Sequence, residues 1–394
     1  MDAPTRPRYI CRNTDQHARA FRPATPCRCT CGCRRPIPFI LSKRRMKGPH
    51  LLVGSDALAV QLPSLLERRG WKRLLIAAGP HFLESIAGAA FITSVKDRTA
   101  SLSATPQGLL RVSTLKEQAA ALPAGIDAVI AIGGGRSIDY AKALLYYAGL
   151  NPEGFVAVPT TAGSGSDATS FAVVYEGIDK LSIAGPELLP NVVVWDESLL
   201  RELPQRQRAV SGLDALVQCL ESLWSLQSTG ASRALAWEAG NWLHRNLETF
   251  VAHPGDELAL AALYAAHHSG RAINTSRTTG PHALSYYLTA VHGIDHGHAV
   301  ALLFPVFLQY NSDATESFTA VLELLGQPDA DSAVHSWQGF LTRLGLEPDL
   351  ASLGLTPAII PEWLRHVNAE RFANNPVPFE PARLGALLQT TLFL

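Results

Sequence analysis

The feature that most restricts the fold is an apolar run at residues 128–132 that leads directly into three glycines, Gly133, Gly134 and Gly135. Strands buried on both faces of a parallel sheet are apolar throughout, so the run predicts a central parallel strand. Glycines let the backbone approach a ligand, and the amides of a helix predicted from near Ser137 attract phosphate. The segment therefore predicts a strand, a phosphate-binding turn and a helix, although it lacks the G-x-G-x-x-G pattern of ordinary Rossmann domains.

Further apolar runs of strand length occur at residues 74–78, 155–158 and 192–195. Helical stretches separate the runs, and strands that alternate with helices indicate a doubly wound parallel sheet. Residues 170–175 and 180–183 flank a short polar turn, which predicts a β-hairpin beside the sheet.

The character of the chain changes near residue 205. Strand signals disappear, and Ala- and Leu-rich segments with helical spacing follow at residues 212–226, 231–250, 257–274 and 317–325. A length of 394 residues with 47% hydrophobic side chains suits two domains with sizeable cores. We therefore expect an α/β nucleotide-binding domain at 46–205, an all-helical domain at 206–394 and a ligand site in the cleft between them.

Residues 1–45 differ in composition from the rest. The first 48 residues carry a formal charge of +10 against −10 for the remainder, and they contain five of the six cysteines. Frequent prolines and the lack of apolar periodicity predict a disordered basic, Cys- and Pro-rich leader that takes no part in the chemistry. A metal-binding tract, nucleic-acid contact and an organellar leader are the alternatives for this segment.

The composition of the remainder of the chain predicts a cytoplasmic location. Cys219 is its only cysteine, which argues against a disulfide scaffold and for a reducing compartment. No run of 18 or more apolar residues occurs, which argues against a transmembrane helix. We expect a cytoplasmic protein that binds neither a membrane nor nucleic acid.

A second ligand-binding turn is predicted after the strand at 155–158. Hydroxyl side chains and two glycines follow it, and the hydroxyls belong to Thr160, Thr161, Ser164 and Ser166. The carboxyl ends of adjacent parallel strands meet at one edge of the sheet, so this turn and the glycine turn together predict a dinucleotide site.

Four residues of the helical half are candidate metal ligands. Asp214 and Gln218 are four residues apart, which places both on one face of a predicted helix, and His282 and His296 follow later in the chain. A carboxylate with imidazoles suits Fe²⁺ or Zn²⁺ and leaves a position for substrate. Taken singly, the same residues also fit a helix cap, a surface amide and hydrogen-bonded core histidines.

Several motifs resemble those of a known family. Residues 133–142, with Asp139 and Lys142, resemble the pattern GGGSxxDxxK, and residues 159–166 resemble PTTxGTGSE. The DAL, HAxxH and HG elements have counterparts that begin at Asp214, His282 and His296. In order and without large gaps, these motifs resemble the iron-containing (group III) alcohol dehydrogenase family from residue 46 to 394.

The resemblance implies an α/β dinucleotide-binding domain followed by an all-helical metal and substrate domain, as in the dehydroquinate synthase-like architecture. It implies NAD(P)H and Fe²⁺ (or Zn²⁺) as cofactors and a homodimer as the usual assembly. The implied metal ligands are Asp214, Gln218, His282 and His296. The expected cofactor-binding residues are Gly79, Gly133, Gly134, Gly135, Arg136, Ser137, Asp139, Thr160, Thr161, Ser164 and Ser166.

Within that family, residues 168–173, 220–225, 277–286 and 368–376 look most like phosphonoacetaldehyde reductases. The expected reaction is the NAD(P)H-dependent reduction of phosphonoacetaldehyde to 2-hydroxyethylphosphonate, a step of phosphonate biosynthesis. A metal-dependent dehydrogenase of another small alcohol is the first alternative. A sugar-phosphate cyclase, which is a lyase that uses NAD transiently on the same fold, is the second.

Three departures from the family pattern affect the predicted chemistry. Gln218 replaces a metal-binding histidine, Tyr286 replaces the second histidine of HAxxH, and Arg136 replaces a serine after the glycines. A guanidinium at this turn is a candidate contact for the cofactor phosphates.

The remaining chemical roles go to residues near the motifs. Tyr286 or His298 is the expected proton relay, and Arg277 is the expected clamp for an anionic substrate, with Arg271 as second choice. Gly79 has no acidic side chain for the ribose hydroxyls, so NADPH is as suitable as NADH.

Overall fold

A computed structural model of the chain describes residues 48–367 and 369–393. The leader predicted at 1–45 lies outside the described residues. Within them, an α/β half is followed by a helical half, as the sequence predicts.

The α/β half contains a six-stranded sheet and a separate hairpin. The sheet strands are β1 (His50–Val53), β2 (Leu74–Ala78), β3 (Thr99–Ala104), β4 (Ala128–Gly133), β5 (Gly154–Pro159) and β8 (Val192–Trp195), and the hairpin strands are β6 (Phe171–Glu176) and β7 (Asp179–Ala184). The sheet order is β1-β8-β5-β4-β2-β3, and all its pairs are parallel. The hairpin is antiparallel, as expected.

Helices cover both faces of this sheet. They are α1 (Leu62–Arg69), α2 (Pro80–Glu84), α3 (Ile86–Val95), α4 (Val112–Ala120) and α5 (Gly135–Ala148). Side chains of β4 alternate between two cores: Ile130 packs with α1 and α3, and Val129 packs with α4 and α5. Burial of a large aliphatic side chain stabilises the fold by about 1.5–3 kcal/mol. This two-sided burial explains why the strand is apolar at every position.

The two edge strands, β1 and β3, are not among the strands that the sequence predicts. Strand β3 has the sequence TASLSA and is partly exposed, and only Leu52 of β1 is buried. Edge strands have one open side, so they carry polar residues and lack the continuous apolar character that identified the central strands.

Eleven further helices follow β8 among the described residues. They are α6 (Ser198–Arg201), α7 (Gln205–Trp224), α8 (Gly230–Ala252), α9 (Asp256–Ser276), α10 (Gly280–His292), α11 (His296–Tyr310), α12 (Thr315–Leu325), α13 (Ala330–Arg343), α14 (Ile360–Arg365), α15 (Ala369–Phe372) and α16 (Pro381–Leu392). Helix α7 begins after Pro204, seven residues earlier than predicted, and every residue from Arg208 to Trp224 is buried. None of the helices in the described part is both long and apolar enough to span a membrane.

Candidate active site

A cleft of about 2510 Å³ lies at the carboxyl ends of β2, β4 and β5, and residues of α7, α10 and α11 border it. Ordinary small-molecule pockets measure ~300–1000 Å³, so this cleft has room for a dinucleotide and a second ligand. The predicted site residues that line it are Gly79, Gly133, Gly134, Gly135, Arg136, Ser137, Asp139, Thr160, Thr161, Ser164, Ser166, Asp214, Gln218, Arg277, His282, Tyr286 and His296.

The glycine turn between β4 and α5 forms one end of the cleft. Gly133 has a φ of +144°, which other residues rarely adopt, and a Cβ on Gly135 would lie 2.2 Å from Ser164 Oγ. Helix α5 begins at Gly135 rather than near Ser137, so its first amides lie at the cleft wall. Amides at a helix start attract anions, and the turn therefore suits the phosphates of a dinucleotide.

Two charged residues of α5 hold the neighbouring loops. Asp139 Oδ2 accepts a 3.0 Å hydrogen bond from the Val173 amide, and burial raises the pKa of this carboxyl. Lys142 is fully buried, and its Nζ donates to the carbonyl oxygens of Ser166 and Thr169 at 2.6 Å each. Asp139 thus borders the cleft but also bonds to strand β6.

Three helices bring a carboxylate and two imidazoles together. Asp214 lies on α7, His282 on α10 and His296 at the start of α11, and their ligand atoms all lie within 4.8 Å of one another. Asp214 Oδ1 is 3.1 Å from His282 Nε2 and 4.0 Å from His296 Nε2. Both Fe²⁺ and Zn²⁺ accept this donor set, with positions left for substrate. The chemistry of these residues therefore fits the metal ion that the sequence predicts.

A buried carboxylate that the sequence analysis did not identify fixes His282. His282 Nδ1 hydrogen-bonds Glu221 Oε2, and Glu221 Oε1 accepts hydrogen bonds from the Thr279 amide at 2.8 Å and the Thr279 hydroxyl at 2.9 Å. Because Nδ1 is bonded to Glu221, Nε2 is the nitrogen that faces Asp214. Glu221 follows Asp214 by seven residues, and this helical spacing was the available signal.

The carboxylates around this site shift the pKa values of the cluster. Burial alone would lower the pKa of His282, but Glu221 and Asp214 raise it to about 9. Burial would raise the pKa of Asp214, whereas the hydrogen bond from His282 and the charge of His296 lower it. Enclosure in the cleft lowers the pKa of His296 to about 4. His282 and His296 therefore differ in charge at neutral pH in the absence of a metal ion.

Gln218 lies beside the cluster, one helical turn after Asp214. Its Nε2 donates to Asp214 Oδ1 at 3.1 Å and to the Ser164 carbonyl oxygen at 3.4 Å. Its Oε1 accepts a 2.8 Å hydrogen bond from the Ser269 hydroxyl. The amide nitrogen, rather than the oxygen, therefore faces the carboxylate.

The cleft wall beside the cluster carries three cationic side chains. Tyr286 stacks on His296 with 5.5 Å between ring centroids, and Lys180 Nζ lies 3.4 Å from the centre of the Tyr286 ring. The guanidinium carbon of Arg371 lies 5.7 Å from the same ring, and Arg277 also lines this wall. We refer to Lys180, Arg277 and Arg371 as the cation group. Of these three, the sequence predicts only Arg277, because Lys180 belongs to the hairpin and Arg371 to a C-terminal helix.

His298, which was predicted as a proton relay, does not reach the cleft. It is fully buried, its Nε2 hydrogen-bonds the Glu347 carbonyl oxygen at 2.8 Å, and it is absent from the cleft lining. The physical reason is helix geometry, since residues two apart on α11 point in different directions, and His296 occupies the cleft side. Arg271 does not border the cleft either.

Two family models match the chain in succession. Residues 49–197 match the model described as iron-containing alcohol dehydrogenase. Residues 208–392 match the Fe-containing alcohol dehydrogenase family, C-terminal. The chain belongs to the iron-containing alcohol dehydrogenase family. This match confirms the family that the motifs predict, and it makes a nicotinamide dinucleotide and a metal ion the expected cofactors.

Individual relatives agree with this assignment. The chain is 35% identical over 272 residues to phosphonoacetaldehyde reductase from Streptomyces viridochromogenes; the match spans 63% of this chain and 65% of that protein, just under two thirds of its length. It is 28% identical over 323 residues to the probable alcohol dehydrogenase EutG of Escherichia coli, and this match spans 75% of this chain and 81% of that protein.

The fold also matches solved members of the family. The iron-containing alcohol dehydrogenase from Corynebacterium glutamicum has a TM-score of 0.76 and 25% identity, over 88% of this chain and 95% of that chain. The predicted fold class, a parallel α/β half followed by a helical half, is confirmed.

Proposed function

We propose that the protein reduces phosphonoacetaldehyde to 2-hydroxyethylphosphonate with NADH or NADPH. The Streptomyces relative is named for this aldehyde, and the chain is 35% identical to it. The predicted location in the cytoplasm and the predicted homodimer belong to the same proposal.

The cation group is the observation that supports a phosphonate-bearing substrate. A phosphonate, like a phosphate ester, carries more than one negative charge near neutral pH and presents three acceptor oxygens. Among the described residues, neither Lys180 nor Arg277 forms an ion pair with a carboxylate. The positive charge of Arg371 opposes the charges of Lys180 and Arg277, and a bound dianion relieves this repulsion. A neutral aldehyde would not use this wall.

The chain's own residues position the two reactants. The turns after β4 and β5 border the cofactor end of the cleft, where Thr160, Thr161 and Ser166 orient the nicotinamide, which supplies the hydride. Asp214, His282 and His296 would hold a divalent cation, which supplies a Lewis acid for a carbonyl oxygen. The cation group holds the phosphonate, and the aldehyde carbon then lies between the two ends of the cleft.

Tyr286 is the proposed hydrogen-bond donor to the reacting oxygen. Burial raises the pKa of its phenol to about 12, so the hydroxyl keeps its proton at neutral pH. The product oxygen takes its proton from water or from Tyr286 Oη. This assignment replaces the two predicted relays with one, since His298 lies outside the cleft.

A panel of aldehydes tests the proposal. Phosphonoacetaldehyde and propanal are compared with NADH and NADPH, before and after treatment with a chelator. Two charge-assisted hydrogen bonds at about 1.5 kcal/mol each predict a preference for the phosphonate of roughly 100-fold in kcat/KM. Equal kcat/KM values for the two aldehydes would instead indicate a dehydrogenase of another small alcohol. Turnover without net consumption of NAD(P)H would indicate the lyase alternative.

A further inference from the structure

The position where the family pattern has a metal-binding histidine is occupied here by Gln218, and its hydrogen bonds determine which amide atom faces the metal cluster. Asp214 Oδ1 and the Ser164 carbonyl oxygen lie 3.1 and 3.4 Å from the same amide atom. A carboxylate and a carbonyl oxygen both accept hydrogen bonds and neither donates one. Both contacts therefore require the amide nitrogen at this position.

The opposite end of the amide is compatible with this orientation. Ser269 Oγ lies 2.8 Å from Gln218 Oε1 and 3.0 Å from the Ala215 carbonyl oxygen, and its hydroxyl proton can be shared between these two acceptors. Gln218 is only 3% exposed and Ser269 is fully buried, so water cannot readily replace these partners. If the amide were rotated by 180°, Oε1 would face two acceptor oxygens without an intervening proton, which is unfavourable in a buried site.

We infer that Gln218 is a positioning residue rather than a metal ligand, and that the protein ligands are Asp214, His282 and His296 alone. Gln218 donates one amide proton to the Asp214 carboxylate and the other to Ser164, which lies in the turn after β5. A single side chain thereby joins the metal cluster to the loop proposed to bind the cofactor. Where the family pattern has a metal-binding histidine, this chain therefore has a glutamine that links Asp214 to Ser164 by hydrogen bonds.

The Co²⁺-substituted protein tests the ligand count without reference to activity. The visible d–d absorption spectrum of Co²⁺ depends on the number and type of its ligands. We expect Gln218→Ala to keep the wild-type spectrum, because no ligand is lost. Gln218→His should change the spectrum and tighten Co²⁺ binding by about tenfold or more, because an imidazole is added to three ligands. A spectrum altered in Gln218→Ala would overturn the inference.

The link to the loop has a separate readout in the metal-free protein. Loss of the Ser164 contact should weaken NAD(P)H binding by about three- to tenfold in Gln218→Ala, measured by nicotinamide fluorescence, since a hydrogen bond contributes about 0.5–1.5 kcal/mol. Gln227→Ala is the matched control: Gln227 also lines the cleft, and its side chain forms no hydrogen bond with the described residues. Equal cofactor affinity in the wild type and Gln218→Ala would refute the link. Neither the Co²⁺ spectrum nor the cofactor affinity depends on the aldehyde. A negative result here would therefore refute the role of Gln218 without refuting the proposed function, on which the choice of cofactor rests.

Discussion

At the scale of single residues, the cation group accounts for the proposed substrate. Burial lowers the pKa of Arg277 and of Lys180, and the charge of Arg371 lowers each of them further. The charge of Arg371 therefore acts on both other members of the cation group. The clustering of like charges at a surface is unfavourable unless an anion is bound, and such sites are frequently functional.

Arg277 allows a direct test of this role. Arg277→Ala should raise the KM for phosphonoacetaldehyde by about tenfold or more, since hydrogen bonds to charged groups contribute about 1.5–3 kcal/mol. The KM for propanal should change less than about twofold by the same argument, because propanal makes no such bond. Arg271→Ala is the control, since this arginine lies on helix α9, which ends one residue before Arg277, but outside the cleft lining. Equal losses for both aldehydes would contradict the clamp.

The Glu221–His282 pair predicts a pH dependence of stability for the metal-free protein. The pKa of His282 is raised to about 9, above the unfolded value of about 6.5. Its contribution to stability is therefore complete below about pH 6.5 and is lost as the pH rises through about 9. The loss is on the order of 3 kcal/mol, at about 1.4 kcal/mol for each pKa unit.

Chemical denaturation at several pH values, in the presence of a chelator, measures this effect. Glu221→Gln keeps an acceptor oxygen for Thr279 but removes the charge that raises the pKa of His282. The free energy of unfolding should therefore fall less between pH 6.5 and 9 in this variant than in the wild type. Parallel curves for the two proteins would disprove the electrostatic assignment.

Sequence reasoning located the residues of the site that belong to local motifs. Asp214, His282 and His296 each begin a short recognisable element, whereas Lys180 and Arg371 are single charges about 190 residues apart in the chain. Their proximity is a property of the tertiary fold, in which Arg371 donates a hydrogen bond to the hydroxyl of Ser182 in strand β7, and no local pattern encodes it. His298 was assigned wrongly because a local motif does not indicate the direction of a side chain.

At the scale of elements, the loop after β5 packs directly on helix α9. A Cβ on Gly165 would lie 2.3 Å from Gly270 Cα, and one on Gly270 would lie 2.3 Å from the Gly165 carbonyl oxygen. The same contact includes a buried pair, in which His267 Nδ1 lies 2.7 Å from Asp167 Oδ2. Helix α9 thus supports the hydroxyl-rich loop that we propose for the nicotinamide.

Gly270→Ala should therefore destabilise the protein, although alanine favours a helix. The new Cβ meets backbone atoms that cannot move aside, and overpacking of this kind costs about 1–3 kcal/mol. Gly339→Ala is the control, since its Cβ would meet only the flexible end of Arg343, and alanine gains up to about 1 kcal/mol in a helix. The comparison uses the free energy of unfolding in urea. A Gly270→Ala protein as stable as the control would show that the loop can move away.

The predictability of the elements follows their burial. Strand β2 was predicted with its observed bounds, because each of its five residues is buried and apolar. Strand β3 alternates serine and threonine with apolar residues at a sheet edge, so its sequence carried too little signal. Helix α7 starts earlier than predicted because its first turn is polar and exposed, while its apolar pattern begins near Ala209.

At the scale of the whole molecule, the described residues 48–393 line the cleft and form the two cores. We predict that deletion of residues 1–45 leaves kcat/KM for the aldehyde within about twofold of the full-length value, since every described cleft residue is retained. The assay compares the two proteins at equal concentration with saturating cofactor. A severe loss of aldehyde reduction would show that the leader contributes to the chemistry. It would also revive the alternative roles considered for that segment.

A crystal structure with the reduced cofactor and a divalent metal ion tests the central claim most directly. The account predicts an anomalous scattering peak at ligand distance from Asp214, His282 and His296, with the cofactor phosphates at Gly133–Gly135 and the nicotinamide between them and the metal. A dinucleotide bound elsewhere, or a metal ion away from these three side chains, would contradict it.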